Sequence, residues 1–563
     1  MLDYLLEDVV YTVVLPIISF FVNLFIRVYE VRKIRKLYGD GSKGYVFEVA
    51  QEKIDEINQQ NQPILGEYNR KYAVKTRTGI YVGEKCKKVI NYLGIPYAKP
   101  PLGELRWKAS EPLPSSEAVF EAKNFGASAI QVEHKGSILK HHRQSEDCLT
   151  LNIVVSAKKT EKLKPVIIVF HHGDFTYGGS ADPLLDGGEF VSKNPDIVLV
   201  SINYRLGIFG FIDFSEIPGG EAYPDTINLG LLDQIAALKW VKENIAAFGG
   251  DPGRITLLGF ESGATSICLL AACERARGLF QKAFAFDVNL ENVYETPKGA
   301  RDLAKNLLKE TQTETMQELL QLKTETLKNA AQRLWQNMCV PTRDGELIPV
   351  DIYRAYKDGA ASGIEFVIGI PSREMQVFRS FIGEENYEEL ISLALSEMQK
   401  YTDTAIAGAI QEYLEAQTAL SGELEAKSKL VEQWNALCIY RTAVKLSEGG
   451  NKVYLMYWNE KPLIENLGSG RVDAVAALLG NSKASQIYGS VMNADISEAL
   501  QALLYKFVNG KSMQLYPNEI KGVDAFEWKE FPQALIISEG KLTSDTIEDR
   551  LTDVKALLSY MLK

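Results

Sequence analysis

Residues 254–272, Arg-Ile-Thr-Leu-Leu-Gly-Phe-Glu-Ser-Gly-Ala-Thr-Ser-Ile-Cys-Leu-Leu-Ala-Ala, constrain the fold more than any other stretch. Ile255 to Leu258 are apolar or β-branched, which suits a strand. Gly259 and Gly263 bracket a corner, and a helical apolar run follows. Glycines two before and two after one residue allow a strained strand-to-helix turn that lifts its side chain above a sheet. In the pattern G-x-S-x-G that side chain is a nucleophilic serine. Here Gly259-Phe260-Glu261-Ser262-Gly263 puts Glu261 in its place.

The rest of the chain predicts an α/β fold around this corner. Pro165 to Phe170 and Ile197 to Ile202 are continuous apolar runs, as parallel strands tend to be. Leu231 to Phe248 carries a helical stripe of Ile235, Leu238, Val241 and Ile245. Residues 300–335 and 385–447 are rich in Ala, Leu, Glu, Lys and Gln and read as helical cap insertions around a pocket. The net charge of −11 speaks against nucleic acid, which needs basic patches. Cys86, Cys148, Cys268, Cys273, Cys339 and Cys438 are scattered and do not read as a disulfide framework.

Residues 9–26 hold no charge, the lower end of a membrane-spanning length. Asp3, Glu7 and Asp8 precede them, which is wrong for a secretory signal. Arg27, Arg32, Lys33, Arg35 and Lys36 follow, so the positive-inside rule places the large domain in the cytoplasm. Residues 1–27 are therefore expected to be a membrane-anchor helix. With Pro16 in mid-segment, an interfacial helix or one buried on the domain are the alternatives. Residues 28–70 read as a charged juxtamembrane connector, either touching anionic headgroups or simply solvated.

Several ordered blocks resemble the type-B carboxylesterases, the family that includes cholinesterases and neuroligins. They are Tyr92-Leu93-Gly94-Ile95-Pro96-Tyr97-Ala98 with Arg106 and Trp107, and Ser145-Glu146-Asp147-Cys148-Leu149. Asn203-Tyr204-Arg205-Leu206-Gly207, Asn228-Leu229-Gly230-Leu231-Leu232-Asp233-Gln234 and Phe248-Gly249-Gly250-Asp251-Pro252 follow in order, with Phe507, Gly510 and Trp528 near the end. The likeness covers about residues 75–540 and is closest to bacterial members over 200–252. It implies an α/β-hydrolase: a large, mostly parallel central sheet with helices on both faces. Residues 71–563 then form one domain with helical cap insertions. Secreted eukaryotic members pair the Ser-Glu-Asp-Cys cysteine with one upstream, and residues 126–131 here hold none.

The family's hydrolysis needs a serine nucleophile, a histidine base, an acid to orient it and backbone N–H donors for the oxyanion. Glu261 stands for the serine. Ser262, one residue on, is rotated by about 100° if helical. All five histidines (His134, His141, His142, His171, His172) precede the elbow, whereas the fold's order is nucleophile, acid, histidine. The resemblance aligns Arg471-Val472-Asp473-Ala474 with the histidine block, so Arg471 replaces the base. It never yields its proton. The acid position falls on Glu374. The oxyanion loop His171-His172-Gly173-Asp174-Phe175 has Asp174 where the family has glycine, so Gly173 and Asp174 are its candidate donors. Glu261, Arg471 and Glu374 are expected to form an ionic triad, a guanidinium forked between two carboxylates. The bland alternative is three separately solvated side chains. No cofactor and no metal is expected, although Asp174, Glu261, Glu374 and a histidine could supply ligands.

These residues predict a membrane-tethered family member that has lost serine-hydrolase activity and binds a protein partner or small apolar ligand. The alternative is a carboxylic ester or lipid hydrolase with non-standard catalytic residues. A third reading is a carrier of hydrophobic ligands.

Overall fold

The computed structural model describes Asp55 and residues 58–562, apart from 134–138, 140–141, 159, 292, 294–295, 335–338, 376–378, 380–383, 400–403, 461–469 and 482–492. The anchor expected at 1–27 and most of the connector lie outside the described residues. Among the described residues no helix is long and apolar enough to cross a membrane. The connector's end is joined to the domain: Asn61 Nδ2 donates to the carbonyls of Leu93 and Asn124, and Ile64 N to Val119 O.

Eleven strands form the central sheet. In chain order they are β1 (Glu84–Cys86), β2 (Val89–Pro96), β3 (Thr150–Ser156), β4 (Lys164–Phe170), β5 (Val198–Ile202), β6 (Gly250–Phe260), β7 (Lys282–Phe286), β8 (Glu365–Pro371), β9 (Val453–Asn459), β10 (Ala534–Ser538) and β11 (Lys541–Asp545). Their spatial order is β11-β10-β9-β8-β7-β6-β4-β5-β3-β2-β1. The middle, β10 through β5, is parallel throughout, while β3, β2, β1 and β11 add antiparallel edges. The sheet is therefore mixed, with its parallel part covered on both faces. All seven residues of β4 and all five of β5 are buried, which explains runs without alternation. One face holds Ile168, Ile255 and Leu257, and the other holds Ile167, Leu258 and Phe284, in two separate apolar clusters.

Helix α1 (Leu229–Asn244) is buried beyond its expected stripe, with Asp233 and Gln234 inside as well. Asp233 is fully buried because Arg205 meets it in a fork, Nη2 to Oδ1 at 2.6 Å and Nε to Oδ2 at 2.7 Å. A second fork joins Arg106 to Glu146 at 2.6 and 2.7 Å. Four sequence blocks thus meet as two buried ion pairs, each satisfied geometrically as burial of charge requires. The regions expected to be helical hold Lys298–Thr311, Met316–Gln321, Thr324–Arg333, Glu384–Gln399 and Thr404–Ser421, besides a long helix, α3 (Glu423–Glu448). All six cysteines are free thiols, Cys86 exposed and the others buried.

Candidate functional site

The topology gathers the candidate residues before any side chain is considered. Gly173 and Asp174 follow β4, Glu261 ends β6, Glu374 follows β8, and Arg471 follows β9. These strands are parallel, so Gly173, Asp174, Glu261 and Glu374, which directly follow theirs, lie beyond one edge of the sheet. In open α/β sheets that edge, at the carboxyl ends of the strands, is where ligands bind.

The corner after β6 has the strained geometry its sequence implies. Glu261 has φ 53° and ψ −116°, a region that costs a non-glycine residue about 1–3 kcal/mol. Helix α2 (Ser262–Ala271) starts immediately after it. Both bracketing glycines are forced by contact. A Cβ on Gly259 would lie 2.6 Å from the Gly263 carbonyl, and one on Gly263 would lie 2.4 Å from Phe170 O. The turn is fastened by Glu261 N donating to Phe286 O at 2.9 Å and Thr265 N to Glu261 O at 2.8 Å.

Because Phe170 and Gly259 are register partners on neighbouring strands, the loop after β4 runs beside the corner. Gly173, Asp174 and Phe175 have φ of 124°, 51° and 59°. A Cβ at Gly173 would lie 2.0 Å from Tyr177 O, so glycine is obligatory there. Asp174 accepts the left-handed conformation, which short polar side chains tolerate. Its cost is offset by Phe175, which is buried edge-on against Phe211.

The loop turns its amides toward Glu261. Gly173 N donates to Glu261 Oε2 at 2.7 Å, and Asp174 N to Oε1 at 3.1 Å and Oε2 at 3.2 Å. Ser262 Oγ, on a buried residue, donates to Oε2 at 3.0 Å. Sequence reasoning placed Glu261 against Arg471 and did not foresee these donors. The available signal was side-chain length, since a glutamate oxygen reaches two bonds further from Cβ than a serine oxygen.

Glu374 is buried just after β8. Arg471 is the first residue of α4 (Arg471–Leu479), behind an extended Gly470, and its side chain lies outside what is described. His134 and His141 also lie outside the described residues. His142 is remote from this edge in its bonding, its Nδ1 2.8 Å from Ser128 Oγ. His171 stacks on Tyr204 with centroids 4.5 Å apart, and its Nδ1 lies 2.8 Å from His172 O. A carbonyl only accepts, so Nδ1 carries the proton. Burial pushes the His171 pKa down to about 4, leaving the ring neutral. His172 Nε2 is 3.2 Å from Asp182 Oδ2 without hydrogen-bonding it. Among the described residues no group of His, Cys, Asp and Glu is arranged to hold a metal ion. Beside the same loop, Ile130, Thr176, Ile208, Phe209 and Cys339 line a narrow apolar cleft of about 20 Å³.

A strand–turn–helix corner facing amide donors above the carboxyl edge of this sheet defines an α/β-hydrolase. The chain belongs to the carboxylesterase family, whose sequence model matches residues 70–542. It is 35% identical over 332 residues to the para-nitrobenzyl esterase of Bacillus subtilis (strain 168), covering 57% of this chain and 67% of that protein. It is 32% identical over 333 residues to the cholinesterase of Mus musculus, covering 54% of each. The chain thus spans two-thirds of the bacterial relative and about half of the mammalian one. Among solved structures, a carboxylesterase of Geobacillus stearothermophilus superposes with a TM-score of 0.73 at 29% identity, covering 86% of this chain and all of that one.

Proposed function

We propose that the chain keeps the family's ester-recognition frame but not its serine route to an acyl-enzyme. The observation that carries this is the Glu261 carboxylate, hydrogen-bonded to Gly173 N and Asp174 N. In an acylated serine the atoms run Cβ, Oγ, acyl carbon, carbonyl oxygen. In glutamate they run Cβ, Cγ, Cδ, Oε, a match atom for atom. Glu261 therefore imitates an acyl-serine whose carbonyl oxygen already sits on the oxyanion donors. Such a site offers a substrate carbonyl neither a nucleophile nor a vacant pair of amides. With Arg471 and Glu374 at the remaining triad positions, no histidine follows the elbow to take a serine's proton. The retained function is then binding, of a small apolar ligand or of a protein partner. Residues 9–26 would tether the domain to a membrane on its cytoplasmic side, a reading supported by sequence alone.

Kinship favours a second reading more directly, a carboxylic ester hydrolase with non-standard residues. The relatives named above are esterases. In this reading Glu261 activates a water, with the neutral His171 nearby. One experiment separates the two. The full chain and a Glu261→Ser/Arg471→His variant are given a short-chain p-nitrophenyl ester and a fluorophosphonate probe. The binding reading expects no turnover and no labelling of the parent, and labelling of the double variant. Parental turnover that Glu261→Ala abolishes would establish the hydrolase instead.

A further inference from the structure

We propose that the pole of the sheet opposite Glu261 is a docking surface for an anionic lipid bilayer. β3 ends at this pole and β4 starts from it, while the elbow lies at the far end of β6. Residues 84–88, Glu-Lys-Cys-Lys-Lys, are exposed throughout, and the chain turns at Lys87 with φ 54°. Ala157 N donates to Lys88 O at 2.8 Å, which lays the loop after β3 alongside. In that loop Lys158 and Lys162 are exposed, and Leu163 beside them is 43% exposed. Five lysines here stand against two glutamates, Glu84 and Glu161, in a chain whose net charge is −11. None of the five forms an ion pair among the described residues. Elsewhere on the surface Lys75 pairs with Glu117, Lys99 with Glu111 and Lys305 with Glu216.

Lysines on an edge strand also block edge-to-edge pairing. That accounts for Lys85 on β1, but not for Lys158 and Lys162 on a loop. Clustered lysines around an exposed leucine match a bilayer surface, where charge meets headgroups and the apolar side chain enters the interface. The sequence repeats the sign, with five basic residues in 27–36 after the uncharged 9–26. Residues 27–57 reach at most about 110 Å extended, enough to lay this pole on the membrane that 9–26 would enter. The surface does not depend on that tether, which would only raise its local concentration. Docked this way, the elbow faces away from the lipid.

Cys86 supplies the test, because it is exposed while the other five thiols are buried. The full chain, labelled there with a polarity-sensitive fluorophore, is mixed with vesicles of phosphatidylcholine alone or with about 30% phosphatidylserine, at about 50 and 500 mM salt. The expected result is an emission shift, quenched by headgroup-labelled lipid, with the anionic vesicles at low salt only. Each lysine contributes about fivefold to such partitioning, so Lys87→Glu/Lys88→Glu should weaken the response by at least about tenfold. These lysines are exposed, and unchanged circular dichroism checks the fold. An equal response to neutral vesicles, or no change in the variant, overturns the proposal. Flotation with both vesicles while the Cys86 label stays unquenched leaves the tether and removes the surface. A response to anionic vesicles without flotation on neutral ones keeps the surface and removes the tether. Stronger binding to duplex RNA than to anionic vesicles also overturns it.

Discussion

Replacing Glu261 by alanine removes the acceptor from two inward-facing amides while keeping a Cβ at φ 53°. The backbone strain stays and the hydrogen bonds go, so the loss is that of unsatisfied N–H groups, about 1–3 kcal/mol. The vacated donors then match a free carboxylate in geometry. Acetate should restore part of the lost stability in Glu261→Ala and leave the parent chain unchanged, because a ligand stabilises only the state that binds it. Thermal unfolding of both proteins across an acetate series, with chloride as the control, measures this. Equal acetate responses would mean that Glu261 does not occupy the amide pair in solution. At this scale the sequence carried the identity of the substituted residue but not the two amides it accepts from, and the Arg471 side chain of the expected ionic triad lies outside the described residues. The pattern Gly259-Phe260-Glu261-Ser262-Gly263 located the corner. Which way a three-bond side chain turns depends on the loop after β4, more than eighty residues earlier. Gly173 and Asp174 were legible as donors, but not that the donors' acceptor would be Glu261 itself.

Between elements, the forks Arg205–Asp233 and Arg106–Glu146 do the joining. Arg205, just after β5, grips Asp233 on α1 and also donates to Lys108 O at 2.8 Å. Arg106 grips Glu146 and donates to Leu322 O at 2.8 Å, drawing the helical insertion onto the sheet's side. Asp233→Ala would strand a guanidinium whose side chain is 3% exposed. Breaking a buried pair from one side costs about 3–5 kcal/mol, so a drop of that size in denaturant stability is expected. Arg205→Met/Asp233→Leu should recover much of it, because apolar isosteres remove both charges together. A loss below about 1 kcal/mol for the single variant would show a pair no stronger than a surface one. These blocks were legible in the sequence as family marks, and their order gave the fold. Their pairing was not legible, because contact between Arg106 and Glu146 spans forty residues and follows no local period. The helix over 231–248 was legible by its stripe, yet its burial extends to Asp233, which Arg205 grips, and to Gln234, whose Nε2 donates to Ser266 Oγ.

Over the whole molecule, acid is expected to loosen the fold through two buried imidazoles. His142 is 5% and His171 2% exposed. Desolvation pushes both pKa values down to about 4, helped at His142 by the nearby Arg143 guanidinium. In the unfolded chain each would titrate near 6.5. Below that pH the unfolded state takes up protons that the native state refuses, so native stability falls as the pH falls. The contribution is whole above about pH 6.5 and is lost progressively down to about pH 4. Each ring adds at most about 1.4 kcal/mol per pH unit within that window. Glu460 acts the other way, because burial raises its pKa and the native state protonates it first. The two histidines lie on different sides of the argument about function. His171 touches the loop that holds Glu261, whereas His142 ties Ser128 to the base of a separate loop. His142→Gln can keep a hydrogen bond to Ser128 Oγ while deleting the titration. Denaturant midpoints at pH 7, 6, 5 and 4.5 should therefore show a pH slope shallower by about one proton in this variant. An unchanged slope would mean that His142 is already protonated, or already solvated, in the native protein.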